Sequence, residues 1–538
     1  MKKSMQRRSF LEFLGKGALT LSVTPTLLAN KMYTPLLGNK KLPLVKGIRP
    51  SAKDELKLAR GLNFHIIARW GDSINPTDTF GFNNDFTAYI PLDENNPDEG
   101  ILWVNHEYID PFFVSAFVGG VEKTKEQVEK EQYNVGGSFI HIRKKKNGKW
   151  EMVKDSAHNR RISGHTPIPF NWDEPIAGKK EGIGTLGNCS GGVTPWGTIL
   201  TCEENYDQFY GERNYKTGEK VLRRNDLGWS KYYDYPPEHY GWVVEVDPKT
   251  GAAQKHIALG RCAHECATIK ELDDGRLVVY TGDDTVNQCL YKFIGSKPGS
   301  LSEGTLYVAN TVLSRWEPLV YEKSKALQKF FKSQTEVLIR LREAAKLVGG
   351  SPLDRPEDIE IDPINGNVLV ALTNNSTVKN YFGSILKIEE ANGDHEALTF
   401  KSEVYLAGGE DTGFACPDNM AFDLAGNLWF TSDMSGSLMN KEPYTAFKNN
   451  GLFFVPREGE QAGQVIQVAS APTDAELTGP WFAPDGKTLF MSVQHPGEYS
   501  PSMDQLTSHW PDGGEEIPKP AVVAIQGRLL EEIQGLSD

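Results

Sequence analysis

The chain has 538 residues, 39% of them hydrophobic and 10% aromatic, which suits a large core and argues against wholesale disorder. A formal net charge of −13 makes nucleic acid an unsuitable partner, because a phosphate backbone is held by clustered Lys and Arg. Six cysteines (Cys189, Cys202, Cys262, Cys266, Cys289 and Cys416) are sparse for this length and form no CxxC pair of the kind that binds zinc. Taken singly, each reads as a small buried hydrophobe.

The first element in the chain is a separate message. Residues 1–29 carry Arg7-Arg8 followed by Ser9-Phe10-Leu11, a mildly apolar run, and a small residue at Ala29. They resemble a twin-arginine export signal, whose apolar stretch is too short and too rich in glycine to span a bilayer as a stable helix. No other apolar run approaches that length, so no stable membrane anchor is expected. The expectation is a protein passed already folded to the twin-arginine export machinery, with any metal inserted beforehand, and located in the periplasm or outside the cell. Residues 30–60 are expected to be a linker, and residues 61–538 a single domain.

That domain repeats one unit. A turn with Gly, then an alternating apolar strand that stops on polar residues, occurs as DEGILWVNHE (98–107), PWGTILTCEE (195–204), DDGRLVVYTGDD (273–284), INGNVLVALTNN (364–375), LAGNLWFTSD (424–433) and PDGKTLFMSVQH (484–495). Glycine supplies the positive φ of the turn, and the Val, Leu, Ile, Phe and Trp that follow suit a half-buried strand. Before each of the last five copies lies a second short strand that opens on a polar residue: Cys189, Glu265, Glu357 with Asp358, Asn419, and Glu476. Six such hairpins predict an all-β fold, a six-bladed β-propeller with long loop insertions. The innermost strand of each blade runs along the central channel, so these polar openings are expected to converge there and to need cations. One insertion, residues 323–349, has helical apolar spacing, no proline and a Gly349-Gly350 stop, and predicts a covering helix.

The donor set limits the chemistry. Carboxylate and amide oxygens from Glu265, Glu357, Asp358, Asn419 and Glu476 are hard ligands suited to calcium. Cys189 is a soft donor that prefers a transition metal, so the channel points to two kinds of ion. His106 and His264 are borderline donors, although an isolated His more often has a structural role. In Arg355-Pro356-Glu357, strand alternation puts the guanidinium and the carboxylate on one face, where a metal and an arginine fork can share a phosphate; a surface salt bridge is the plainer alternative.

These strings resemble the PhoX-type alkaline phosphatases: NCSGGVTPWGTILTCEE, with LGRCAHE at 259–265, RPEDIEID at 355–362, NLWFTSD at 427–433, IIARWGD at 66–72 and the export signal. The resemblance covers nearly all of the chain after residue 29. It implies a monomeric, exported enzyme that releases inorganic phosphate from small phosphate monoesters, using Fe(III) and Ca2+ bridged by an oxo group. It implies Cys189 as an iron ligand, Glu265 and Glu357 as metal ligands, and Arg355 as the group that contacts the phosphate, with no Ser, Thr or Cys nucleophile required. Glu203, Glu204, Glu107, Asp358, Asn419 and Glu476 follow as metal ligands by motif and blade position. Alternation along a strand forbids Glu203 and Glu204 from pointing the same way, so one of them is expected to stand behind the metal shell. Arg69 is expected to join Arg355 in drawing an anion to the site. Cys262 and Cys266 flank the HE motif where no thiols are expected, leaving open extra metal affinity or a disulfide. A calcium-dependent lactonase or arylesterase is the alternative on the same fold, and a non-catalytic binding propeller is a third reading; a channel thiol has no use in the lactonase.

Overall fold

The computed structural model describes residues 43–224 and 227–536, so the expected export signal at 1–29 lies outside the described residues. Six antiparallel sheets follow one another around a ring. Their innermost strands, in order, are Asn84–Asp93, Asn188–Val193, Thr268–Glu271, Pro356–Ile361, Pro417–Phe422 and Glu476–Phe482. Each packs against the next, and the last returns to the first. The six repeated units form the second strand of every blade: Asn96–His106, Ile199–Glu203, Leu277–Gly282, Val368–Leu372, Leu428–Ser432 and Thr488–Gln494. The six-bladed propeller read from the repeats is therefore the fold.

The ring closes with strands from both ends of the domain. Blade 6 takes two strands of the repeat and Ala521–Gln526 from the C-terminal side, and its outermost strand is Asn63–Arg69 from the N-terminal side. Residues 43–60 were expected as part of a linker, but Lys57–Leu58 adds an edge strand to blade 5, pairing with Ser470 and Ala469. Val45, Leu56 and Ala59 are buried in the same apolar cluster as the strands of blades 5 and 6. Apolar side chains beside an open sheet edge gain more by docking than by remaining in solvent.

Residues 323–349 differ from expectation in a second way. They form three short helices, Lys325–Phe330, Gln334–Ile339 and Leu341–Val348, not one. Phe331, extended at φ −119°, ends the first segment, and Ser333, at φ −156°, caps the second by accepting from Glu336 N. Leu327, Phe331, Val337, Leu338, Leu341, Ala344 and Ala345 bury their side chains against blades 2 and 3. Arg342 then reaches Asp283 Oδ1 at 2.6 Å, which ties the insertion to the end of a blade 3 strand.

Candidate active site

A β-bulge at the start of the inner strand aims the channel residues. In blades 1, 2, 4 and 5 the register slips between Asn84 and Thr87, Asn188 and Gly191, Pro356 and Ile359, and Pro417 and Met420. An extra residue in one strand bends it and redirects the side chains on either side. The first residue inside each bulge, Asp85, Cys189, Glu357 or Asp418, lines a pocket of about 440 Å³ at one end of the channel. The next residue turns away: Asp358 Oδ2 accepts from Met420 N at 2.7 Å, and Asn419 Oδ1 accepts from Gly479 N at 2.7 Å. Asp358 and Asn419, expected as ligands, thus brace neighbouring inner strands. Asn419 Nδ2 also lies 3.4 Å from Glu265 Oε1, which places it directly behind a pocket residue.

Residues that follow the second strands supply the rest of the pocket: Glu107, Glu204, Asp284, Asp433 and His495, with Glu265 and Glu476 from inner-strand openings. In NCSGG, a Cβ on Gly191 would lie 2.2 Å from Leu200 O and one on Gly192 2.2 Å from Ala267 O, so only glycine lets the Cys189 segment fit between blades 2 and 3.

Glu203 and Glu204 part as alternation requires. Glu204 faces the pocket. Glu203 pairs with Lys255 at 2.7 Å, both side chains wholly buried, and accepts from Gly241 N at 2.9 Å and Trp242 N at 3.1 Å. It therefore holds blade 2 together and is not a pocket ligand. Replacing Glu203 with Gln leaves the Lys255 charge buried without a counter-charge, at a cost of about 3 kcal/mol or more. The melting temperature of E203Q should fall, while the metal content of the folded fraction stays at the wild-type level; a proportionate loss of metal would return Glu203 to the ligand set.

Arg69 is also displaced from its expected place. It sits on the outermost strand of blade 6, paired with Asp512 at 3.3 Å and lining a separate surface groove, so the propeller's strand order keeps it away from the axis. His106 lies between Phe82 O and Ser138 Oγ, and His264 between Thr281 Oγ1 and Gly260 O, both buried and structural. All six cysteines are free thiols; Cys262 and Cys266 are buried, outside the pocket.

Arg355 is the one arginine lining the pocket. Its Nε and Nη2 grip Asp284 at 3.0 and 2.7 Å, Nη2 lies 2.6 Å from Glu357 Oε1, and Nη1 lies 3.3 Å from Asp433 Oδ2. Burial alone would lower its pKa, but Asp284, Glu357 and Asp433 raise it, so the guanidinium is held charged. Its backbone has φ +58°, an unusual conformation for a non-glycine residue and one that clusters at functional sites.

The carboxylates are strongly unbalanced. Ten line the pocket with one arginine and one histidine. Burial, reinforced by one another's charge, pushes the pKa of Asp85, Glu204, Glu265, Asp418 and Glu476 well above the ordinary carboxyl range. The Cys189 thiol is raised by the same causes, burial first and then Asp85 and Glu265. Its Sγ lies 3.3 Å from Asp85 Oδ2 and 3.2 Å from Glu265 Oε1. Asp85 Oδ1 is buried with no hydrogen-bond partner. Three triads, Asp85/Glu107/Cys189, Cys189/Glu204/Glu265 and Glu265/Glu357/Asp418, each hold their donor atoms within 4.8 Å of one another. Shared corners at Cys189 and Glu265 link them into one chain of sites. Clustered buried anions, an unpartnered carboxylate oxygen and a mixed thiol and oxygen donor set all fit a multinuclear metal centre.

Sequence reasoning passed over Asp85, Asp284, Asp418, Asp433 and His495. Asp85 carried a usable signal, because NDFTAYI precedes the first repeat just as the other inner strands precede theirs.

Comparison with known proteins gives a consistent result. The family profile described as alkaline phosphatase PhoX matches residues 44–497. The structure of Pseudomonas fluorescens PhoX in complex with vanadate, a transition state analogue, is similar at a TM-score of 0.80 and 28% identity, over 91% of this chain and 98% of that one. A Dyadobacter fermentans protein of unknown function (TM-score 0.38, 12% identity, 87% of this chain and 100% of that one) and a Xanthomonas campestris gluconolactonase (0.36, 10%, 91% and 100%) are far more distant. No curated protein sequence matches the chain.

Proposed function

The chain belongs to the PhoX alkaline phosphatase family and is a phosphoric monoester hydrolase, and from that premise we propose how its pocket carries out the reaction. The ions are Fe(III) and Ca2+. Cys189 would hold iron, and Asp85, Glu107, Glu204, Glu265, Glu357, Asp418 and Glu476 would supply oxygen donors to the ions. When bound, the ions supply Lewis-acid neutralisation of the phosphoryl oxygens.

The chain's own part is positioning. Asp284 holds Nε and Nη2 of Arg355, leaving the edge toward Asp433 at contacts of 3.3 and 3.4 Å, the longest that the guanidinium makes. A phosphoryl group with two oxygens on that edge replaces Asp433 and is oriented by a fork that a point charge cannot imitate. Glu357, paired with the same guanidinium at 2.6 Å and a corner of one of the three triads, would link the arginine to any ion held there. Gln494 Nε2 donates to Glu107 Oε2 at 2.8 Å and fixes that carboxylate toward the cluster. The observation that carries this reading is the Cys189 thiol set between two buried carboxylates; a calcium-only lactonase has no use for it.

The substrates are small phosphate monoesters and the enzyme acts as a monomer. Residues 1–29 direct it through the twin-arginine route to the periplasm or the outside of the cell. Among the described residues, no helix is long and apolar enough to cross a membrane.

The deciding experiment is chelation of the purified mature protein, reading elemental content, p-nitrophenyl phosphate turnover and melting temperature. Iron and calcium are expected, and turnover should be lost with them. Raised pKa values mean that the folded metal-free protein keeps protons that the unfolded chain releases above about pH 4. Its stability should therefore fall as pH rises, and added metal should restore it. Calcium without iron, or turnover that survives chelation, would overturn the assignment.

A further inference from the structure

The outer part of the pocket differs chemically from its metal-facing floor. Tyr108, Glu498, Tyr499, Ser435 and Gly436 also line the pocket, and all five keep solvent exposure, which marks them as part of its mouth. Tyr108 Oη donates to Glu498 Oε1 at 2.8 Å, which fixes the carboxylate while its side chain keeps 24% exposure. Tyr499 is 45% exposed beside it. A Cβ on residue 436 would come within 2.4 Å of the Tyr499 ring, so Gly436 makes room for that ring at the wall of the pocket. The remaining cationic candidates in the lining, Arg355 and His495, are already set among carboxylates: Arg355 at Asp284 and Glu357, and His495 between Glu476, 3.4 Å from its Nε2, and Glu498 itself, whose Oε2 lies 3.6 Å from its Nδ1.

A phosphate monoester bound with its phosphoryl group at Arg355 and the metal-facing carboxylates must direct its alcohol portion toward the mouth. There it meets an oriented carboxylate flanked by two tyrosines, and no lysine or arginine that would take a second anionic group. A partly exposed carboxylate beside an exposed tyrosine ring is chemistry that can recognise an ammonium group, by charge and by cation–π attraction together. We propose that this mouth is a leaving-group subsite for phosphate esters of amino alcohols, with Glu498 as the specificity residue and Tyr108 and Tyr499 as its walls. The proposal rests on the phosphatase reading above and concerns only the choice among monoesters. The bond broken is the ordinary ester bond, and the amino alcohol leaves with its cation intact.

The test compares the metal-loaded enzyme on choline phosphate and on 3,3-dimethylbutyl phosphate, which has the same shape with carbon in place of the quaternary nitrogen. Turnover of p-nitrophenyl phosphate, measured in the same preparation, reports separately on the phosphatase reading. The expected kcat/KM is roughly tenfold higher for choline phosphate, the scale of a partly exposed carboxylate acting with an aromatic face. Glu498→Gln should bring the ratio close to one, Tyr499→Leu should reduce it, and raised ionic strength should narrow it in the wild type. Equal kcat/KM for the two esters, with p-nitrophenyl phosphate turnover intact, would overturn the subsite and leave the phosphatase standing. A ratio unchanged in both variants would do the same.

Discussion

Replacing Arg355 with Ala is expected to lower kcat/KM for p-nitrophenyl phosphate by about 10²- to 10³-fold, the range for removing one charged donor aimed at a transition state in a dry site. The loss has two parts. The phosphoryl group loses the fork that orients it, and Asp284, Glu357 and Asp433 lose the cation that offsets their mutual repulsion. Arg355→Lys separates them, because lysine keeps the charge without the planar fork. It should retain metal and stability close to wild type while recovering only part of the rate. Vanadate affinity measured in parallel should fall with kcat/KM in both variants, as expected for an interaction made in the transition state. Unchanged kinetics in Arg355→Ala would remove this residue from the reaction and leave its three ion pairs as architecture.

Cys189→Ser is expected to have the other large effect. Serine keeps the size of the side chain but replaces a soft donor with a hard, weakly acidic hydroxyl, which strongly disfavours a transition metal and disturbs calcium much less. Elemental analysis should find iron reduced severalfold or more, calcium largely kept, and turnover down by at least about 100-fold, the upper range for disturbing even the outer partners of a metal site. Cys189 sits in two of the three linked triads, so loss of its ion also leaves Asp85 and Glu265 facing each other without compensation. Full iron occupancy in the serine variant would show that the carboxylates alone hold the metal and that the thiol is a buried packing group.

The correction at the NCSGG strand shows how far local pattern reaches. Strand alternation alone requires Glu203 and Glu204 to point in opposite directions, and the structure has them do so. Which one faces the pocket is decided by Lys255, a residue more than fifty positions away that pairs with Glu203 in the core of blade 2. The same holds at RPED and at PDN. Each run of adjacent polar residues was legible as a channel opening, but a bulge selects Glu357 over Asp358 and Asp418 over Asn419. A bulge is visible only in the pairing of two strands, so the single strand's sequence does not carry it.

Arg69 illustrates a longer-range limit. IIARWGD is one of the strings that carry the family resemblance, and Arg69 within it was expected at the site, yet closing the ring with an N-terminal strand places it at the rim of blade 6, farthest from the axis. The helical insertion has the same lesson: its apolar spacing was readable, while extended backbone at Phe331 and Ser333 and a non-helical Arg340 divide it into three segments, docked through Leu327, Val337 and Leu341.

The sequence by itself determined the fold class, the number of blades, the closing of each hairpin on polar residues, and the thiol at position 189, because turn glycines, two-residue alternation and donor chemistry are properties of short stretches. Only the tertiary structure decided which of two neighbouring acids faces the channel, that Asp284 and Asp433 join Arg355, and that Glu498 meets Tyr108 at the mouth. Those choices depend on bulges, ring closure and contacts between distant blades, where the cost of burying a charge is settled by partners that no local stretch contains.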